Sequence, residues 1–247
     1  MLHAFDLAVM SIVNAFAGRS PVFDRFVGLV HATTTLKGGI IVAVLCWLWA
    51  EASRTPAAAA LRDPRAADPR AAVVRMFLAI IAAILIGRLA QVVLPERRRP
   101  IVSGDLGVVF GAGASTENWD RWSSLPSDHA VYLMAAATAF GFRSRGFGLA
   151  FALFMIVTQL LPRIYFGEHY PSDIVAGCLI GVAIGWGVMR APGLAGACAL
   201  PLRLADAHAP SFAAFAALLL LQLAMTFADA LAWLRSIARF IGVVRGI

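Results

Sequence analysis

The stretch Arg163-Ile164-Tyr165-Phe166-Gly167-Glu168-His169-Tyr170-Pro171-Ser172-Asp173 lies between two strongly apolar runs, so a membrane-embedded chain places it at a water interface. His169 and Asp173 are four residues apart. On a helix that spacing puts both on one face, where the carboxylate is expected to hold one ring nitrogen and leave the other free. Arg163, six residues before the histidine, supplies a planar cation suited to a phosphate or a carboxylate. Nucleophile, orienting acid and anion clamp can all come from these eleven residues.

Composition supports the membrane reading. Across 247 residues, 60% are hydrophobic and 14% charged, and the mean hydropathy is +0.79. Apolar runs of this number and length exceed what a soluble core uses, so the chain reads as one polytopic membrane domain over 1–247. The net charge of +7 is almost all arginine, with Lys37 the single lysine. These arginines sit in short loops between apolar runs, a pattern that orients membrane segments, and no nucleic-acid module is present. Cys46, Cys178 and Cys198 show no ligand spacing, which argues against a disulfide framework or a zinc site. No metal or other cofactor is expected.

The expected architecture is all-α: about six transmembrane helices behind an N-terminal interfacial amphipathic helix. Residues 2–16 put Leu2, Phe5, Val9, Ile12, Val13 and Phe16 on one face and are too polar to span, so residues 1–33 are assigned to the membrane surface. The bundle follows over 34–234. Its spans are expected near 34–51, 71–94, 127–142, 147–162, 173–189 and 211–234, and a basic tail occupies 235–247. Arg54, Arg62, Arg65, Arg70, Arg143, Arg145, Arg190 and Arg203 mark the loops 52–70, 143–146 and 190–210 as cytoplasmic. The catalytic loops 95–129 and 163–173 then face the opposite side. Trp119 and Trp122 read as interfacial anchors, and the spacing of Gly177, Gly181 and Gly185 reads as a close helix contact.

Of the five histidines, only His129 and His169 stand at span ends beside serine, arginine and carboxylate. Two histidines, several arginines and a helix N-terminus at one interface suit phosphate-ester chemistry. That reaction needs a nucleophile, a proton for the leaving oxygen, and donors for the equatorial oxygens. By position His169, oriented by Asp173, is the nucleophile and His129 the general acid. Arg99 and Arg163 clamp the phosphoryl group. Ser127, with the free N–H groups that start its helix, donates to it. Asp128 falls in the same phosphate-binding segment, where it reads as a helix cap.

Arg99-Pro100, Pro126-Ser127-Asp128-His129 and Arg163-x5-His169-x3-Asp173 together resemble the three signature motifs of the type 2 phosphatidic acid phosphatase superfamily. The resemblance covers roughly residues 20–190. It implies a helical bundle that hydrolyses a lipid phosphate or diphosphate without a metal, through a phosphohistidine. Three positions depart from the motifs. Val92 stands where the family carries a lysine, with Arg88, Arg97 and Arg98 as candidate substitutes. Asp128 replaces a glycine, a variant similar to the bacterial undecaprenyl-diphosphatase branch. Pro162 replaces a serine. The implied protein sits in the bacterial inner membrane with its site toward the periplasm or cell exterior, and its partners are the bilayer and a lipid substrate, most simply undecaprenyl diphosphate. The alternatives are a phosphotransferase on the same scaffold, a phosphatidylglycerophosphate or phosphatidate phosphatase, and a non-catalytic headgroup binder or transporter.

Overall fold

The computed structural model describes residues 2–54, 68–103 and 123–225, which are helical with no strand among them. In chain order the helices are α1 (Leu2–Asn14), α2 (Pro21–Ala32), α3 (Thr35–Arg54), α4 (Pro69–Val93), α5 (Pro100–Ser103), α6 (Asp128–Gly141), α7 (Arg145–Tyr165), α8 (Pro171–Arg190), α9 (Ala195–Ala207) and α10 (Ala209–Ala224). Local chemistry sets several starts. Ser20 caps α2, its hydroxyl accepting from the Phe23 N–H, and Pro21 takes the first helical position. Ser144 caps α7 in the same way, accepting from the Phe147 N–H at 3.4 Å.

Four helices among the described residues, α3, α4, α7 and α8, are long and apolar enough to cross a membrane. The sequence led us to expect six. The expected third span is α6, whose 14 residues reach roughly 21 Å, short of a ~30 Å hydrocarbon core. The expected sixth corresponds to α10, described as far as Ala224; its continuation to 234 lies outside the described residues. The segment 190–210, expected as a loop, contains α9, because alanine and leucine dominate it and favour helix. Arg62, Arg65, Trp119, Trp122 and the tail 235–247 also lie outside the described residues.

Packing divides the chain into two units: residues 1–36 with 79–187, and residues 37–78 with 188–247. The first is built around α6, in which every residue from Ala130 to Phe140 except Thr138 is buried. Its alanines let neighbouring helices approach closely. A Cβ added at Gly177 would come 2.6 Å from the Ser127 carbonyl, one at Gly185 2.7 Å from that of Ala135, and Gly181 lies directly against the Val131 carbonyl. The glycine stripe is therefore a helix contact, the role its spacing suggested. On the other flank Gly148 of α7 meets Gly141 of α6. In the second unit Gly38 lies against the Ala224 backbone, and Trp49 stacks on Phe212 at 5.6 Å. Arg70 there reaches both Asp68 and Asp206 at 2.7 Å.

α1 turns its large apolar residues outward: Phe5 and Ile12 are exposed. Asp6 and Met10, one turn apart, are buried instead. A carboxylate on the inner face of an otherwise apolar helix needs partners, and those partners lie in the site.

Candidate active site

The site begins where α7 stops. Gly167 adopts φ 68°, a left-handed conformation that glycine takes without steric cost. The Gly167 N–H bonds the Ile164 carbonyl at 3.1 Å, and the Glu168 N–H bonds the Arg163 carbonyl at 2.8 Å. These two bonds form a Schellman stop. The reversal throws the Glu168 side chain back onto Arg163, whose NH1 donates to Glu168 Oε2 at 2.6 Å. The other Glu168 oxygen meets His31 Nε2 of α2 at 2.8 Å. Burial works to raise the Glu168 pKa, but the Arg163 charge and the His31 hydrogen bond hold the carboxylate well below its usual range.

The chain re-enters helix at Pro171. Asp173, third in α8, accepts the Tyr170 N–H on Oδ2 at 2.9 Å and so closes the helix N-terminus. His169 therefore precedes the helix, and the expectation that it shares a helical face with Asp173 is corrected. The reason is Pro171: the residue before a proline is pushed out of the α region, so the helix does not extend back to His169. His169 Nδ1 is instead 2.8 Å from the Ser124 carbonyl, and Asp173 Oδ2 stands at 4.0 Å. A carbonyl only accepts, so Nδ1 carries the hydrogen and Nε2 presents its lone pair. Arg99 NH1 is 3.2 Å from Nε2 and donates to the Glu168 carbonyl at 2.8 Å. Full burial, reinforced by the Arg99 and Arg163 charges, holds the imidazole well below its ordinary pKa, so it is neutral near pH 7.

His129 lies in the first turn of α6. Asp128 Oδ1 accepts from the His129 N–H at 2.8 Å and faces its Nδ1 at 2.9 Å, while Oδ2 pairs with Arg88 NH2 at 2.9 Å. Asp128 thus directs the His129 ring, with Nε2 pointing away from the carboxylate. The Ser127 N–H bonds the Asp173 carbonyl at 3.1 Å, tying the start of α6 to the start of α8. Asp128 also acts electrostatically on His169, Arg99 and Arg163. The His129 and His169 segments therefore share one charge cluster.

Arg99 and Arg163 are buried at 4% and 3% exposure. Burial lowers the Arg99 pKa from its ordinary value without removing its charge at neutral pH. Among the described residues, Ser127 Oγ and Arg163 Nε are buried without a hydrogen-bond partner. Such donors suit an anion, since an unsatisfied buried polar group costs about 1–3 kcal/mol.

The three candidate replacements for the lysine occupy different places. Val92 itself is 72% exposed, away from the buried cluster. Arg88 pairs with Asp128, and Arg98 is exposed. Arg97 bridges two carboxylates at 2.6 Å each, Asp6 through NH2 and Asp173 through NH1, and its guanidinium lies 3.9 Å from the Tyr170 ring centroid. Burial opposes its charge, but the bond to Asp6 and the charge of Asp173 raise its pKa.

Sequence reasoning did not reach Asp6, His31 or the Ser124 carbonyl. A carboxylate on the face of α1 opposite its large apolar residues was the one legible signal for Asp6. His31 sits in an apolar window one residue before the end of α2, and a backbone carbonyl leaves no trace in residue type.

Comparison with known proteins gives the chain a family. The model of the PAP2 superfamily matches residues 72–196, about half of the chain. Undecaprenyl-diphosphatase BcrC of Bacillus subtilis is 34% identical over 64 residues, 26% of this chain and 33% of that protein. Decaprenylphosphoryl-5-phosphoribose phosphatase of Mycobacterium tuberculosis is 39% identical over 62 residues, 25% of this chain and 33% of that protein. Putative undecaprenyl-diphosphatase YbjG of Escherichia coli is 23% identical over 182 residues, 74% of this chain and 80% of that protein. The aligned stretch thus spans about a third of the length of the first two relatives. No solved structure matches.

Proposed function

Because the chain belongs to the PAP2 superfamily, we propose that it is a membrane lipid phosphatase acting on a polyprenyl phosphate or diphosphate, with undecaprenyl diphosphate the first substrate to test. The substrate class rests on the relatives, whose names carry undecaprenyl and decaprenyl lipids. The chemistry rests on one observation above the others: a buried, neutral His169 with its Nδ1 hydrogen on the Ser124 carbonyl and its Nε2 lone pair beside Arg99.

In this reading His169 Nε2 attacks phosphorus and the bond to the leaving oxygen breaks. His129, directed by Asp128, gives that oxygen its proton. The product is a phosphohistidine whose ring carries positive charge, stabilised by the Asp173 carboxylate 4.0 Å from Nδ1. His129, now neutral, takes a proton from water as it attacks the same phosphorus. Orthophosphate leaves and His169 returns to its starting form. Arg99, Arg163 and the Ser127 hydroxyl hold the equatorial oxygens. The site faces the periplasm or cell exterior of a bacterial inner membrane, the orientation that the loop arginines support.

The test is orthophosphate release by the purified protein from a panel of undecaprenyl diphosphate, phosphatidylglycerophosphate and phosphatidate, with and without a chelator. Release from the polyprenyl lipid, unaffected by chelation and lost in His169→Ala, is expected. Full activity in His169→Ala would overturn the mechanism, and preference for a glycerolipid would overturn the substrate class. Release that depends on an added acceptor would identify a phosphotransferase.

A further inference from the structure

We propose that Asp6, in the N-terminal helix and outside the region matched by the family, is a positioning residue that acts through Arg97 to hold Asp173 in place and to leave part of its charge uncancelled beside the nucleophile; this rests on the phosphatase reading above. Asp6 is fully buried, and three short contacts leave its role narrow. Oδ1 accepts the Ser172 N–H at 2.8 Å and Oδ2 accepts the Ser172 hydroxyl at 2.8 Å. Oδ2 also accepts Arg97 NH2 at 2.6 Å, and Arg97 NH1 reaches Ser172 Oγ at 2.8 Å and Asp173 Oδ1 at 2.6 Å. The chain of contact runs Asp6, Arg97, Asp173, with Ser172 bracing its middle and the Tyr170 ring covering the guanidinium.

The two carboxylates divide one guanidinium between them. With Asp6 present, Arg97 does not fully cancel the charge of Asp173, which stays available to the ring of His169 when that ring becomes cationic. Without Asp6, Arg97 bonds Asp173 alone, and its uncompensated charge works against the phosphohistidine. Asp6 touches neither the nucleophile nor the Arg99 and Arg163 clamps, so its loss acts on kcat and leaves KM nearly unchanged.

The experiment compares wild type, Asp6→Asn, Arg97→Gln and the double variant in detergent micelles. Three quantities are read: kcat and KM for phosphate release, the affinities for orthovanadate and orthophosphate by calorimetry, and the melting temperature. Asp6→Asn is expected to lower kcat about ten-fold, equivalent to roughly 1.4 kcal/mol, and to weaken orthovanadate, which mimics the five-coordinate state, by a similar factor. Orthophosphate affinity should hold. On the Arg97→Gln background the same substitution should have little further effect, because its route is already cut. A fall in melting temperature alone, with kcat and the vanadate-to-phosphate ratio intact, would make Asp6 a simple helix cap and overturn the proposal. Additive effects of the two substitutions would overturn it as well. If Asp6→Asn does not fold, Asp6→Glu replaces it, and wild-type kcat and vanadate affinity are then expected because the charge is restored. Wild-type protein that binds vanadate in an Asp6-dependent way but releases no phosphate from any lipid would sink the functional reading and leave the positioning role standing.

Discussion

His169 and Asp173 are four residues apart in the chain, yet Nδ1 of the one and Oδ2 of the other stand 4.0 Å apart, and the hydrogen on Nδ1 goes to the carbonyl of Ser124 at 2.8 Å. In the proposed mechanism ring orientation and charge stabilisation are therefore supplied by different groups. The carbonyl sets the tautomer, and the carboxylate is proposed to act through space once the ring becomes cationic.

Separate suppliers imply separate losses. Asp173→Asn keeps the Ser124 bond and the tautomer, so activity should fall by roughly 10- to 100-fold, or 1.4–2.7 kcal/mol of barrier. His169→Ala should abolish turnover. Steady-state phosphate release on both variants checks the ranking, and an Asp173→Asn enzyme as dead as His169→Ala would show that the carboxylate also orients the ring.

Arg88 and Asp128 should behave as one unit. Their 2.9 Å pair leaves an uncompensated charge when either is removed, so Arg88→Gln and Asp128→Asn should each reduce activity and stability. The double variant should do less harm than their sum, with a coupling of about 1–3 kcal/mol in a double-mutant cycle. Strict additivity would mean that Arg88 serves the phosphate rather than Asp128.

Glu168→Gln should damage binding more than chemistry. It removes the carboxylate from Arg163, which is 3% exposed, and breaking a buried pair from one side costs about 3–5 kcal/mol. A lower melting temperature and a raised KM are expected from thermal denaturation and kinetics. An unchanged KM would place the Arg163 clamp outside substrate binding.

The pH dependence of stability follows from His169. Its ordinary value is 6.5, and burial with the Arg99 and Arg163 charges holds the folded-state value well below that. The unfolded chain therefore binds the proton first as pH falls, so stability held above pH 6.5 is lost progressively beneath it. Glu168, depressed from 4.5, adds a loss of the same sign at lower pH. Between pH 6.5 and about 5 the melting temperature of wild type should drop more steeply than that of His169→Gln. Parallel slopes would contradict a buried neutral imidazole.

Much of this was legible in the chain itself. Apolar runs broken by arginine loops required membrane helices, and Arg99, Ser127, His129, Arg163, His169 and Asp173 stood out because polar groups between such runs need a purpose. The glycines of α8 announced their packing because a helix repeats its face about every four residues. The misplaced contact at the site has one cause. A helical spacing rule placed His169 on the face of Asp173, but Pro171 starts the helix two residues later.

By itself the sequence determined composition, periodicity and motif order, which are properties of neighbours along the chain, and from them the all-helical fold and the candidates for the reacting groups. Only the tertiary structure decided which atom holds Nδ1, that Arg88 goes to Asp128 and Arg97 to Asp6 and Asp173, and that α1 and α2 contribute Asp6 and His31 to the charge cluster. Those pairings join residues as far apart as 6 and 172 or 31 and 168. Burial makes each charge seek a partner wherever the packed helices present one, and sequence distance has no bearing on that choice.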